Sequence, residues 1–215
     1  MKSLRGHRGL LAPSQPGENQ AELSVKSLSL KWGRVSALNN IDLLLKTGEV
    51  LSLIGPKGAG KTSLINCITG AETPTQGHIT LSDEDITGRD PHYIAGLGIG
   101  RTYQKPHILP DMTVLSNLLL ARHLFCRYNI FQSCFFSSRA RHEEVRNRGT
   151  VELLIDLFGM QHVRKSLAGS LTYSMKKRLE IARAFAMEPK ILILDDPFTG
   201  MNRGEIEYTK GFYWT

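Results

Sequence analysis

A chain of 215 residues with 41% hydrophobic and 22% charged residues can bury a large core, which excludes a disordered or fibrous polymer. Its net charge of +7 is spread through loose groups, Lys2-Arg5-Arg8, Arg139-Arg141-Arg146-Arg148 and Lys176-Lys177-Arg178, without aromatic interleaving; this predicts solvated basic faces and no nucleic-acid partner. Three cysteines, Cys67, Cys126 and Cys134, form no even set and no C-x-x-C pair, and no apolar run reaches the length of a bilayer span, so the expected setting is a reducing cytoplasm, with membrane contact only through a partner.

In chain order, residues 1–20 mix Gly, Pro, Ser, Gln and Asn without periodicity and read as a flexible extension. Leu23–Leu30, Ile41–Leu45 and Val50–Ile54 read as strands separated by Gly33 and Thr47-Gly48. A helix from Thr62 to Thr69 stops at Gly70, and Thr73-Pro74-Thr75-Gln76-Gly77 turns the chain into a strand, His78–Leu81. From about Asp111 to Phe158 the apolar spacing becomes helical, through Val114, Leu118, Leu119 and then Val151, Leu154, Ile155, Phe158, with Phe125–Ser138 as a connection. A helix Met175–Met187 is expected to stop before Pro189, followed by Ile191–Leu194, a continuous apolar run of the kind a parallel strand covered on both faces shows.

Chemistry concentrates at two places. Gly55-Pro56-Lys57-Gly58-Ala59-Gly60-Lys61-Thr62 satisfies G-x-x-x-x-G-K-[ST] between an apolar strand and a helix, the context of a phosphate-binding loop. Its glycines allow a concave nest of amides, and the helix that follows, with Ser63 in its first turn, adds its positive end. Lys61 is then the residue for the β- and γ-phosphates and Thr62 the hydroxyl for Mg2+. Asp195 and Asp196 follow the second apolar strand, and a carboxylate at the carboxyl end of a parallel strand suits Asp195 to a metal ion.

With both places located, the chain from about Leu23 to Asn202 resembles the nucleotide-binding subunits of ABC transporters. Gly55–Thr62 is similar to the Walker A motif and Ile191–Asp195 to the Walker B strand. Gln104, in Gly100-Arg101-Thr102-Tyr103-Gln104, falls where the family has its Q-loop glutamine, a Mg2+ ligand and sensor. Trp32 falls where an aromatic stacks on adenine. The resemblance implies a P-loop NTPase of the α/β class, an ABC ATPase core with an antiparallel β subdomain and an inserted helical subdomain at about 105–188, within a domain spanning 21–215 that is incomplete at the C-terminus after the D-loop. It implies ATP and Mg2+ as cofactors. It also implies a second ATPase subunit, integral-membrane permease subunits and, indirectly, a solute-binding protein as partners, at the cytoplasmic face of the membrane.

Within the family, Ala37-Leu38-Asn39-Asn40, Arg101-Thr102-Tyr103-Gln104, Leu171-Thr172-Tyr173, Arg178-Leu179-Glu180-Ile181-Ala182-Arg183 and Gly200-Met201-Asn202 resemble the ATPases of branched-chain amino-acid importers. Urea importer and lipopolysaccharide exporter ATPases share several of these features. The resemblance carries Thr172 and Ser174 over as nucleotide-contacting positions of the signature segment, where the family has glycine at position 174 and usually glutamine at position 175. It carries Asp196 over to the position of the general base, which is glutamate in the family; one methylene less withdraws the carboxylate from the water it orients. No histidine follows Asp196, whereas the family continues into a strand bearing a switch histidine. An exposed sheet edge, reduced stability and a tendency to aggregate are the expected result, with slow hydrolysis, down to a remnant that binds nucleotide without turning it over.

Overall fold

The computed structural model describes residues 23–125, 138–200 and 204, which fall into two compact units divided after Ala95. The expectations for residues 1–20, for the interior of the Phe125–Ser138 connection and for Met201 and Asn202 lie outside the described residues.

The first unit is built on an antiparallel sheet. Strand β1 (Leu23–Trp32) pairs with β2 (Val35–Leu45) on one side and with β3 (Gln76–Leu81) on the other, and β4 (Glu84–Asp85) extends it, giving the order β2-β1-β3-β4. Alternation along β1 and β3 buries Leu23, Val25, Leu28, Leu30, Ile79 and Leu81, each 5% exposed or less. The β1–β2 hairpin closes through Gly33-Arg34, with Gly33 at φ +58, the conformation the first central residue of a tight two-residue hairpin turn needs. Gly77 lets β3 run close to β1, since a Cβ there would lie 2.5 Å from the Ser27 carbonyl oxygen. Helix α1 (Lys61–Ile68) turns Leu64, Ile65, Cys67 and Ile68 inward, and α2 (Pro91–Gly96) contributes Ile94.

One expected strand is not there. Val50–Ile54 has extended-former composition but joins no ladder, and Val50 and Ile54 are 71% and 94% exposed. Apolar side chains alone suggest a strand here, but a strand needs a neighbour for its backbone groups, and among the described residues none pairs with it.

The second unit is helical around a short parallel pair. β5 (Ile99–Arg101) pairs in parallel with β6 (Ile191–Ile193), Arg101 opposite Ile193. Helices α3 (Val114–Ala121), α4 (Ser138–Leu157) and α5 (Tyr173–Ala186) enclose a core of Val114, Leu118, Val151, Ile155, Phe158, Leu179 and Ile181, all fully buried. Thr113 caps α3 by accepting from the Ser116 amide, and Thr172 caps α5 by accepting from Met175. The helix predicted at Met175–Met187 thus begins at Tyr173, because its cap lies further upstream, and Glu188 leaves it at φ +45 before Pro189. The strand expected to be covered on both faces is covered only in part. Ile191 is buried while Leu192 and Ile193 are half-buried, since the described sheet gives β6 a single neighbour.

Lys177 corrects the solvated reading of the Lys176-Lys177-Arg178 group. Its side chain is fully buried and donates to Glu180 Oε2 at 3.2 Å and to the Tyr103 carbonyl. Arg146 and Arg148 are exposed, as a solvated face requires.

Candidate functional site

In the first unit the phosphate loop follows the exposed Val50–Ile54 run. Gly58 and Gly60 sit at φ +84 and +82, so the loop curls in a conformation costly to residues with a Cβ. Gly60 has a second requirement, because a Cβ there would meet the Ala37 carbonyl oxygen at 2.6 Å and Leu38 Cδ2 at 2.9 Å. β2 therefore backs the loop, and the Ala37-Leu38 pair singled out in the sequence is what presses on it. The Ala59 amide donates to the Pro56 carbonyl at 3.3 Å, closing the bend.

Gly60 is also the N-cap of α1, and among the described residues no side chain caps that helix. The amides of Lys61, Thr62 and Ser63 are then donors without an intrahelical acceptor, at the positive end of the helix. Lys61 folds back over the loop, its ammonium donating to the carbonyls of Gly55 at 2.6 Å and Pro56 at 2.7 Å. These are solvent-facing contacts, which a phosphate can replace with stronger charge-assisted ones. Thr62 is exposed and Ser63 buried, while Pro56 and Lys57 stand open on the loop. Trp32, at the end of β1, is 53% exposed, an open aromatic face of the kind that stacks on a base.

In the second unit β5 and β6 deliver two acidic residues. The Thr102 amide donates to the Ile193 carbonyl at 2.9 Å, and the Asp195 amide donates to Thr102 Oγ1 at 3.2 Å, so the buried Thr102 fixes where the strand leaves the sheet. Asp195 Oδ2 accepts from Arg101 Nη2 at 3.3 Å, the two side chains being 17% and 8% exposed. Asp196 is exposed at φ +53, a region aspartate tolerates better than most residues, and its carbonyl accepts from the Thr199 amide.

Gln104 is exposed, on the segment between β5 and α3, and its carbonyl accepts from the Tyr173 hydroxyl at 3.4 Å. That bond brings the Q-loop position to the signature segment. Thr172 and Ser174 are adjacent there, their hydroxyl oxygens 3.3 Å apart, on the rim of a shallow pocket of about 390 Å³ that also touches His162 and Arg178. The Ser174 hydroxyl is thus turned toward the cap of α5.

Sequence reasoning missed what carries Gln104. The Glu180 carboxylate accepts from the amides of Tyr103 at 3.0 Å and His107 at 3.1 Å, and Lys177 holds the Tyr103 carbonyl. Tyr103 and His107 stack with ring centroids 4.3 Å apart, and the Arg101 guanidinium lies 4.7 Å from the Tyr103 ring centre. The only trace in the sequence is an i, i+3 pair of opposite charges on the apolar face of a helix, beside Leu179 and Ile181.

A nucleotide-type phosphate loop on an antiparallel sheet, with a separate helical unit carrying an acidic strand end, defines a P-loop nucleotide-binding protein. The ABC transporter family model matches residues 38–199, and the chain belongs to that family as an ATP-binding subunit. Among curated relatives, the high-affinity branched-chain amino acid transport ATP-binding protein LivG of Escherichia coli K12 is 36% identical over 187 residues, 87% of this chain and 73% of LivG. The corresponding BraF protein of Pseudomonas aeruginosa is 36% identical over 188 residues, 87% of this chain and 74% of BraF. A nucleotide-free ATP-binding cassette from an ABC transporter superposes with TM-score 0.73 at 28% identity, over 90% of this chain and 76% of that one. A cassette in its ADP conformation gives TM-score 0.70 at 30% identity, over 89% and 74%. These comparisons bear out the α/β P-loop ATPase fold expected from the motifs.

Proposed function

We propose that the protein binds MgATP as the energy-coupling subunit of an importer of branched-chain or related amino acids, and hydrolyses it slowly. The observation that carries this reading is the phosphate loop: an uncapped helix end, two left-handed glycines and a lysine whose ammonium rests on replaceable carbonyl contacts. The importer assignment rests on what LivG and BraF are named for and on the residues shared with that subfamily. A urea or amide importer, or a lipopolysaccharide exporter, is the alternative cargo.

In this reading the amides of Gly58–Ser63 and the Lys61 ammonium grip the β- and γ-phosphates, and Trp32 stacks on the adenine. Thr62, Gln104 and Asp195 supply neutral and anionic oxygens, the donor set a hard cation such as Mg2+ takes beside phosphate oxygens and water. When bound, that cation neutralises charge on the phosphate oxygens. Thr172 and Ser174 present the capped end of α5 to the nucleotide of a second ATP-binding subunit, and permease subunits hold the pair at the cytoplasmic face of the membrane, with a solute-binding protein acting through the permease. Asp196 polarises the attacking water. Its shorter side chain and left-handed backbone favour the second reading, a subunit that retains ATP but turns over little.

The test is ATP titration and phosphate release on purified chain beside Lys61→Ala. Mg2+-dependent ATP binding lost in Lys61→Ala, with phosphate release above that control, is expected. No heat or fluorescence change at millimolar nucleotide would end the proposal, and binding with release equal to the control would leave the retaining subunit as the function.

A further inference from the structure

Asp195 is already engaged in this structure. Its carboxylate takes a 3.3 Å contact from the Arg101 guanidinium, both side chains being largely shielded from water. The same guanidinium lies over the Tyr103 ring, and Tyr103 stacks on His107. Arg101 is the last residue of β5 and faces Ile193 of β6, so the pair is set by strand register and not by a floppy surface contact. A cation approaching Asp195 must therefore compete with a positive charge that the sheet holds in place, and a guanidinium and a metal ion cannot share one carboxylate oxygen without mutual repulsion.

Resting on the reading that Asp195 takes the metal, we propose that Arg101 is a positioning residue that occupies the Asp195 carboxylate before the cation arrives and yields it when the cation binds. Arg101 keeps a partly buried carboxylate paired in the empty state, which prevents the cost of an uncompensated charge. On release its guanidinium changes its relation to the Tyr103 ring, so metal occupancy registers one residue from Gln104. The contact weakens the coupling between metal and nucleotide, since part of the cation's attraction goes into displacing the arginine.

The experiment measures ADP affinity with a fluorescent ADP analogue, without metal and with saturating Mn2+, for wild type, Arg101→Gln, Arg101→Lys and Asp195→Asn. The ratio of the two dissociation constants reports the metal coupling. Arg101→Gln is expected to raise that ratio about tenfold, the order set by giving up one shielded charge-assisted contact, and Arg101→Lys to return it toward wild type. In 3-fluorotyrosine-labelled protein, with the Tyr103 resonance assigned by Tyr103→Phe and diamagnetic Mg2+ used in place of Mn2+, adding Mg2+ to the ADP-bound protein should shift that resonance in wild type and not in Arg101→Gln. A ratio unchanged or lowered in Arg101→Gln, while Asp195→Asn lowers it, overturns the role of Arg101 and leaves the metal site standing. A ratio unchanged in Asp195→Asn removes the metal reading itself and the proposal with it. Should Arg101→Gln fail to fold, a Tyr103 resonance in wild type that ignores Mg2+ is sufficient to overturn it.

Discussion

Replacing Glu180 by alanine tests how the segment carrying Gln104 is held. The carboxylate is 4% exposed, accepts two amide hydrogen bonds at 3.0 and 3.1 Å and faces the ammonium of Lys177 at 3.2 Å. Its removal strands a fully buried ammonium with one carbonyl partner and orphans two amides. Breaking a buried pair from one side costs about 3–5 kcal/mol, and each unmet amide adds to that until water enters. We expect a loss of about 4 kcal/mol, or roughly 8–16 °C in Tm for a chain of this size. Lys177→Met should cost less, about 1–3 kcal/mol, because the carboxylate it leaves behind keeps both amide donors. In Lys177→Met/Glu180→Ala the stranded charge is gone, so the double variant loses less than the sum of the singles, by about 1–3 kcal/mol. Urea denaturation followed by circular dichroism gives all four corners of the cycle. A Glu180→Ala loss below about 1 kcal/mol, a costlier Lys177→Met, or additivity within about 0.5 kcal/mol would refute the argument.

Gly60→Ala places a Cβ 2.6 Å from a backbone oxygen at φ +82, so stability falls by about 2–3 kcal/mol and ATP binding weakens with it; unaltered melting and affinity would contradict the packing described for the loop. Asp196→Glu restores the missing methylene and should raise the rate of phosphate release about tenfold or more with little change in ATP affinity, read from kcat and KM on the same preparation. Burial, reinforced by Glu72, pushes the Cys67 thiol from 9.0 up to about 11. The folded chain then keeps a proton that the unfolded chain releases near pH 9, so stability is full below pH 9 and is lost as pH rises toward 11. Between pH 8 and 10 wild type should lose about 1 kcal/mol more than Cys67→Ala in urea titrations, and parallel losses would exclude this source.

The elements that sequence made legible are those whose signal is local. β1, β3, α1 and α5 carry alternation, a glycine stop or helical spacing within their own length, and the phosphate loop announces itself by its glycines, of which Gly58 and Gly60 adopt left-handed φ values. Elements that depend on a distant neighbour were read poorly. Val50–Ile54 has the side chains of a strand but forms no ladder, and β5, three residues with a glycine at its centre, becomes a strand only because β6 lies 90 residues on. The same division runs through the site. Gln104, Thr172, Ser174 and Asp195 stand at motif positions, whereas Arg101, which pairs with Asp195, and Lys177 and Glu180, which hold the segment of Gln104, act through partners 70 or more residues away; the i, i+3 spacing of Lys177 and Glu180 is their one local trace.

Val50, Leu51, Leu53 and Ile54 form an oily ribbon leading into the phosphate loop, with main-chain donors and acceptors that no described strand engages. A ribbon of that kind is adhesive: two molecules that meet there can zip together edge to edge, and the rate of such encounters grows with the square of concentration. Purified stocks should cloud on concentrating and clear on dilution, and a lysine at Leu53 should act as a gatekeeper that keeps them limpid.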